Sequence, residues 1–323
     1  GKDEVLVDSV DPDHEKTLYT DTPVVHKYIK ELNRNTFGTD PEIVTVGEMS
    51  STTIPNSIEY TNPDEHELSM VFTFHHLKVD YDNGEKWSKV SFNFMELKSL
   101  LSTWQTEMDK GNGWNALFWN NHDQPWALNR FGDPVNYREK SAEMLATSLH
   151  LLRGTPYIYM GEELGMMDPH YKSIDDYVDV EALNGYQMLL DKGVDKDRAF
   201  EIVVSKSRDN SRVPMHWDDS KYAGFSNVKP WLIPTDQDEI NVEKELASGE
   251  IFNHYQKLIN LRKTEPLIYA GHFKELLPDN KQVFAYERYL DDSNEKLVVF
   301  NNFYGNEVTV DLPKQKLQVI TII

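Results

Sequence analysis

Apolar positions along the first 160 residues switch repeatedly between two periods. Asp21-Thr22-Pro23 supplies a cap residue and an early Pro, so the chain reads as a helix from there to about Phe37, with Gly38 as its stop. Ile43 to Met49 is a continuous apolar, β-branched run after Asp40-Pro41, the pattern of a buried strand. A second strand is predicted from about Ser69 to Leu77. A helix from about Phe94 to Asp109 places Leu97, Leu100, Leu101, Trp104 and Met108 on one face. Ala116 to Trp119 reads as a third strand and Thr155 to Met160 as a fourth. Between them a helix from about Tyr137 to Leu152 carries Met144, Leu145, Thr147, Ser148 and Leu151 at helical spacing.

Strand–helix alternation with buried strands predicts a parallel sheet, doubly wound or closed into a barrel. No glycine-rich phosphate loop follows any strand, which weighs against a nucleotide-binding version. Polar residues gather at the strand ends: Glu48, His75 and His76, His122 and Asp123, Glu162 and Glu163. A (β/α)₈ barrel carries its chemistry at that end. Four such strands make half a barrel. Beyond them, Ser173 to Lys206 reads as helical, Arg208 to Pro234 as loop, Asp236 to Glu245 as a solvated acidic face and Phe252 to Lys263 as a helix. After Pro266 the texture changes to short β-type runs, Phe284–Tyr286, Leu297–Phe300, Val308–Val310 and Val319–Ile323, separated by turn residues. The expected architecture is therefore α/β: the C-terminal half of a TIM (β/α)₈ barrel over residues 1–265, then a small antiparallel β domain over 266–323. Gly1 is not an initiator Met, and the chain ends inside an apolar run. Both parts are expected to be truncated pieces of a longer protein.

Composition narrows the chemistry. The 323 residues contain no cysteine, which excludes disulfides, thiolate metal sites and a cysteine nucleophile. The formal charge of -21 would repel a nucleic-acid backbone or an anionic membrane. No apolar run approaches the roughly 20 residues of a membrane-spanning helix, and the N-terminus is not a signal peptide. Neither a Gly-x-Ser-x-Gly elbow nor a His-Glu-x-x-His motif is present. His75 and His76 are adjacent, so on a strand they would face opposite ways, and no shared metal is expected. What remains is carboxylates at strand ends, Glu48 and Asp123, a pair of the type that glycoside hydrolysis needs. Taken singly, Glu48 could equally make a rim salt bridge and Asp123 could cap the next helix. Glu162 and Glu163 read as rim-ordering carboxylates.

Four longer motifs raise the specificity of this reading. Val46-Gly47-Glu48-Met49, Trp119 to Pro125, Gly154 to Glu163 and Ser207 to Asp218 resemble the strand-five, strand-seven, strand-eight and following blocks of the α-amylase superfamily, glycoside hydrolase family 13, in its oligo-1,6-glucosidase branch. Within that branch, residues 1–8, Tyr19 to Pro23, Gly47 to Thr53 and Phe74 to Tyr81 resemble the phosphotrehalase group.

The resemblance implies a cytoplasmic retaining glycosidase acting on trehalose 6-phosphate, a small-molecule sugar phosphate, with neither nucleic-acid nor membrane partner and neither metal nor organic cofactor. It implies Glu48 as general acid/base, Asp123 as the transition-state aspartate with His122 beside it, and Arg208 at the sugar. The family's nucleophile is an Asp in a Gly-Phe-Arg-x-Asp motif. None of Asp3, Asp8, Asp11 or Asp13 stands in such a motif, so this chain alone is expected to be inactive. Trp126 stands where relatives commonly have Arg. Lys78 and Lys86, in the loop after the second strand, are the expected phosphate contacts. An oligo-1,6-glucosidase or dextran glucosidase is the alternative enzyme, and a non-catalytic sugar-binding or scaffold relative the alternative of another class. The open edges of half a barrel are expected to drive self-association.

Overall fold

The computed structural model describes residues 20–311. Asp3, Asp8, Asp11, Asp13, Tyr19, residues 1–8 and the expected run Val319–Ile323 lie outside the described residues. Helix α1 (Pro23–Asn35) begins with Pro in its first turn and ends where the Gly38 N–H bonds the Asn33 carbonyl at 2.8 Å. Strand β1 (Val46–Glu48) runs parallel to β2 (Met70–Phe72), pairing Val46 with Met70 and Glu48 with Phe72. Helix α2 (Ile54–Thr61) connects them, capped by the Thr53 side chain on the Asn56 N–H. A parallel bridge from Val71 to Asn115 joins β2 to β3 (Ala116–Leu117), which pairs parallel with β4 (Thr155–Pro156). Helix α3 (Phe94–Lys110) crosses from β2 to β3, and α4 (Ala127–Phe131) and α5 (Pro134–His150) cross from β3 to β4. The result is four parallel strands in chain order, each linked to the next through helix. Gly154, at φ +139, lets the chain turn into β4; a Cβ there would meet the Asn115 carbonyl at 2.6 Å.

Between β4 and helix α9 (Glu250–Thr264), 93 residues fold over the carboxyl ends of the strands, carrying α6 (Val180–Asp191), α7 (Lys196–Lys206) and α8 (Val242–Ser248). They form their own apolar cluster, with Leu189, Ala199, Ile202 and Val203 against Trp126, Leu164 and Met215. After α10 (Pro266–Tyr269) comes an antiparallel sheet, β5 (His272–Leu276), β6 (Val283–Tyr289) and β7 (Lys296–Asn302). Phe273, Phe284, Tyr286 and Val299 of this sheet share one core with Leu97, Trp119, Leu145 and Leu149 of the parallel part. Lys98 of α3 is fully buried and donates to the carbonyls of Asn280 (3.0 Å) and Val283 (3.1 Å), and also to that of Leu277.

Several expectations are corrected. The strands are two or three residues long rather than four to nine, since only that much of each apolar run pairs with a neighbouring strand. His75 and His76 lie on a 3₁₀ turn (His75–Leu77), not on a strand, although their rings still point to different partners. The 173–206 region breaks into a 3₁₀ turn and two helices, with Gly193 at φ +82 between them. Glu245 is not solvated: it is buried and accepts the Phe252 N–H at 3.0 Å, capping α9 across the turn. Strand β5 was not expected, since Phe273 is its one strongly apolar buried side chain. Val308–Val310 forms no strand.

Candidate active site

Glu48 closes β1 at its carboxyl end. Strand alternation buries Gly47 and turns Glu48 outward. A cleft of about 200 Å³ opens there, walled by Glu48, Phe72, Phe118, Asn121, His122 and Tyr157. The same cleft thus takes in the β1 end and the turn after β3. That turn carries Asp123, whose amide N–H donates to the Asn121 side-chain oxygen at 2.9 Å.

The carboxylate of Asp123 is held by two guanidiniums. Arg212 Nη2 lies 2.7 Å from its Oδ1 and Arg208 Nη1 3.5 Å from the same oxygen. Arg212 Nε also donates to the His122 carbonyl at 2.6 Å, and Ser211 Oγ to the Asn121 carbonyl at 2.9 Å. His122 is largely exposed, with Nε2 3.8 Å from Asp123 Oδ2. Behind this pair, Arg208 forks onto Asp179 at 2.7 and 2.8 Å. That fork, ahead of every other cause, holds Asp179 below the usual carboxylate range and Arg208 above its own. Glu181 Oε2 lies 3.0 Å from Arg208 Nε as an ion pair and accepts from Lys86 Nζ at 2.7 Å. Burial pushes the Lys86 ammonium down, and Glu181 opposes it. Lys78 is exposed and reaches back to β1's exit, 3.4 Å from both the Ser50 carbonyl and Ser51 Oγ.

Sequence-predicted residues therefore meet unevenly. His122, Asp123 and Arg208 come together. Glu48 faces the cleft that His122 also lines, and Lys78 sits over the loop that leaves Glu48. Lys86 joins the group through Glu181 and is committed to that ion pair. His76 donates from Nε2 to the Phe118 carbonyl, and burial lowers its pKa to about 4. His75 donates to the Thr52 carbonyl and stacks on Trp104. Trp126 is buried, its indole N–H on the Asn210 carbonyl at 3.0 Å, and so faces the insert's core. Sequence reasoning missed Arg212, Asp179 and Glu181. Arg212 had a signal, standing four residues after Arg208 in the same block.

Glu162 and Glu163 do not line this cleft. Glu162 is buried beneath the Asp123 turn. Its two oxygens accept from Asn120 Nδ2 (2.6 Å) and the Tyr255 hydroxyl (2.9 Å). Burial raises its pKa to about 7. Glu163 accepts the Gly161 N–H at 2.8 Å. Among the described residues, the one group spaced for a metal is His26, Glu59 and Glu67. It lies at the amino end of β2, opposite the cleft, and Lys30 already stands 3.5 and 3.7 Å from its two carboxylates.

Comparison with known proteins follows the same lines. The profile described as "Alpha amylase, catalytic domain" matches residues 1–271. Trehalose-6-phosphate hydrolase of Bacillus subtilis is 50% identical over 300 residues, covering 92% of this chain and 53% of that protein. Oligo-1,6-glucosidase of Bacillus cereus is 41% identical, covering 90% and 52%. Among solved structures, trehalose-6-phosphate hydrolase of Bacillus licheniformis superposes with a TM-score of 0.90 at 50% identity, over 95% of this chain and 55% of that one. The chain spans about half the length of the curated relatives it matches. With its parallel strands, its cleft at their carboxyl ends and its trailing antiparallel sheet, this chain belongs to the α-amylase catalytic-domain family.

Proposed function

We propose that the chain contributes the acid/base half of the active site of a retaining α-glycosidase that cleaves trehalose 6-phosphate to glucose and glucose 6-phosphate. The observation that carries this is Glu48 and the Asp123 turn meeting at one cleft, in a chain 50% identical to a trehalose-6-phosphate hydrolase. Glu48 protonates the departing glycosidic oxygen, then takes a proton from the incoming water. Asp123, aimed by Arg208 and Arg212, accepts hydroxyls of the glucose that stays and stabilises its oxocarbenium-like charge, with His122 beside it. A second carboxylate attacks the anomeric carbon and forms the glycosyl intermediate. No residue among 20–311 is assigned to it, and the 323-residue chain alone is expected not to turn over.

The leaving group lies on the acid's side of the bond. Lys78, over the loop that leaves Glu48, therefore suits the phosphate of departing glucose 6-phosphate. Lys86 serves by holding Glu181 in line behind Arg208. The test is Lys78→Ala in an enzyme that carries all eight barrel strands. A charged hydrogen bond is worth roughly 1.5–3 kcal/mol, so kcat/KM for trehalose 6-phosphate should fall about ten- to a hundredfold. A neutral aryl glucoside should lose little. Equal loss on both substrates removes Lys78 from phosphate recognition. Faster hydrolysis of isomaltose than of trehalose 6-phosphate by the unaltered enzyme returns the reading to an oligo-1,6-glucosidase.

A further inference from the structure

The loop that carries Asp123 is closed at its base by one side chain. Asn120, at its start, accepts the N–H of Ala127, at its end, on Oδ1 at 2.7 Å. An Asn amide does this only in one of its two orientations, since the flipped one would set an NH₂ group against the Ala127 donor. Glu162 selects that orientation. Its Oε2 accepts Asn120 Nδ2 at 2.6 Å, so the amide nitrogen must point down and the amide oxygen toward the loop. The other oxygen, Oε1, takes the hydroxyl of Tyr255 on α9 at 2.9 Å. Glu162 and Asn120 are both buried. Glu162 comes from the 3₁₀ turn after β4, and Tyr255 from the helix that follows the insert. The link therefore ties three separate segments beneath one loop.

We propose that Glu162 is a positioning residue for Asp123, acting through the orientation of Asn120. This rests on the reading of Asp123 as the aspartate that holds the sugar, because only then does loop geometry bear on the reaction. Glu162 does not touch the cleft.

The groups facing Glu162 are Asn120, the Tyr255 hydroxyl, the backbone at Tyr159 and the carboxylate of Glu163. None of these is a cation. Burial, the largest cause, therefore lifts the Glu162 pKa from its ordinary value to about 7 against the opposing hydrogen bonds. The sign follows. A carboxyl raised in the closed loop favours closure while it holds its proton, which sits on Oε1 and is then donated to the Tyr255 oxygen while Oε2 still accepts from Asn120. That advantage is lost as pH rises through about 7, because an opened loop lets the ionised group meet water.

The experiment is hydrogen exchange on the 323-residue chain at pH 6 and pH 8, corrected for intrinsic rates, read at the amides of residues 121–124, 126 and 127. With a closed pKa of about 7 and an ordinary carboxylate pKa when open, the linkage relation gives a fall in protection of about tenfold between the two conditions. Glu162→Gln has an amide of the same shape that accepts from Asn120 and donates to Tyr255. It should keep the pH 6 protection at both conditions. Glu162→Leu should lose protection at both, while the amides of α3 stay protected in all three proteins. An unchanged wild-type loop, complete exchange of that loop at both pH values, or the same fall in Glu162→Gln overturns the proposal. Exchange is read without substrate, so a failure here is separate from a failure of the proposed sugar chemistry.

Discussion

Glu48 and Asp123 differ in how they are held, and that difference matches what each is asked to do. In the proposed function Asp123 points its oxygens at hydroxyls of the sugar, and two guanidiniums at 2.7 and 3.5 Å set its direction. Glu48, proposed to give and take a proton, sits at a strand end open to the cleft. In the eight-stranded enzyme, Glu48→Gln should reduce hydrolysis of trehalose 6-phosphate by roughly 10²–10⁴-fold, the usual scale for losing a general acid. A substrate with an activated leaving group needs little protonation, so its first, glycosylating step should be largely spared. Burst kinetics separate the two steps; equal loss in both would make Glu48 structural. The placement of both beside one cleft was legible in the sequence because carboxylates at strand ends have a pattern. The pairings of Arg212, Asp179 and Glu181 were not, because their partners lie 27 to 95 positions away and no local period records such a pairing.

At the scale of elements, the long amphipathic helices were readable and the short strands were not. Helix α3 buries Leu97, Leu101 and Met108 at helical spacing, which the sequence shows directly. Lys98, beside them, reads as a solvent-facing charge, yet it is fully buried because its ammonium satisfies the carbonyls of the β5–β6 turn. Nothing in the sequence around Lys98 announces a partner some 180 residues on. Burial pushes its pKa down, a cost that those carbonyls offset. Lys98→Met keeps the volume and removes the donors. Leaving buried acceptors unsatisfied costs about 1–3 kcal/mol, so urea denaturation should show a loss of that order. An unchanged midpoint would mean that water replaces the ammonium.

For the molecule as a whole, the described sheet has two free edges. Ile43 and Val44 stand exposed just before β1 and Val46 on it, and Ile158 and Met160 just beyond β4. Parallel sheets are ordinarily covered on both faces and flanked by further strands. The 323-residue chain by itself should therefore associate, with light scattering giving a mass above 37.5 kDa that rises with concentration. A dilute, stable monomer would show that these edges are covered from within the chain. Half a barrel was legible because strand–helix alternation repeats. In the insert the helical and loop stretches were legible, but not the break at Gly193 or the 3₁₀ turns, which are local events without a period.

The guanidiniums that aim Asp123 have one more consequence. Arg208 and Arg212 stand on the far side of helices α6 and α7, 85 and 89 positions after the carboxylate they hold. The aim of Asp123 is thus a property of a remote segment's length and packing. Lengthening or shortening the turn at Gly193 would change no residue of the cleft, yet it would shift the base on which both arginines stand. If the proposed role of Asp123 holds, substrate preference is open to revision by insertion or deletion far from the cleft, while every residue lining it stays the same.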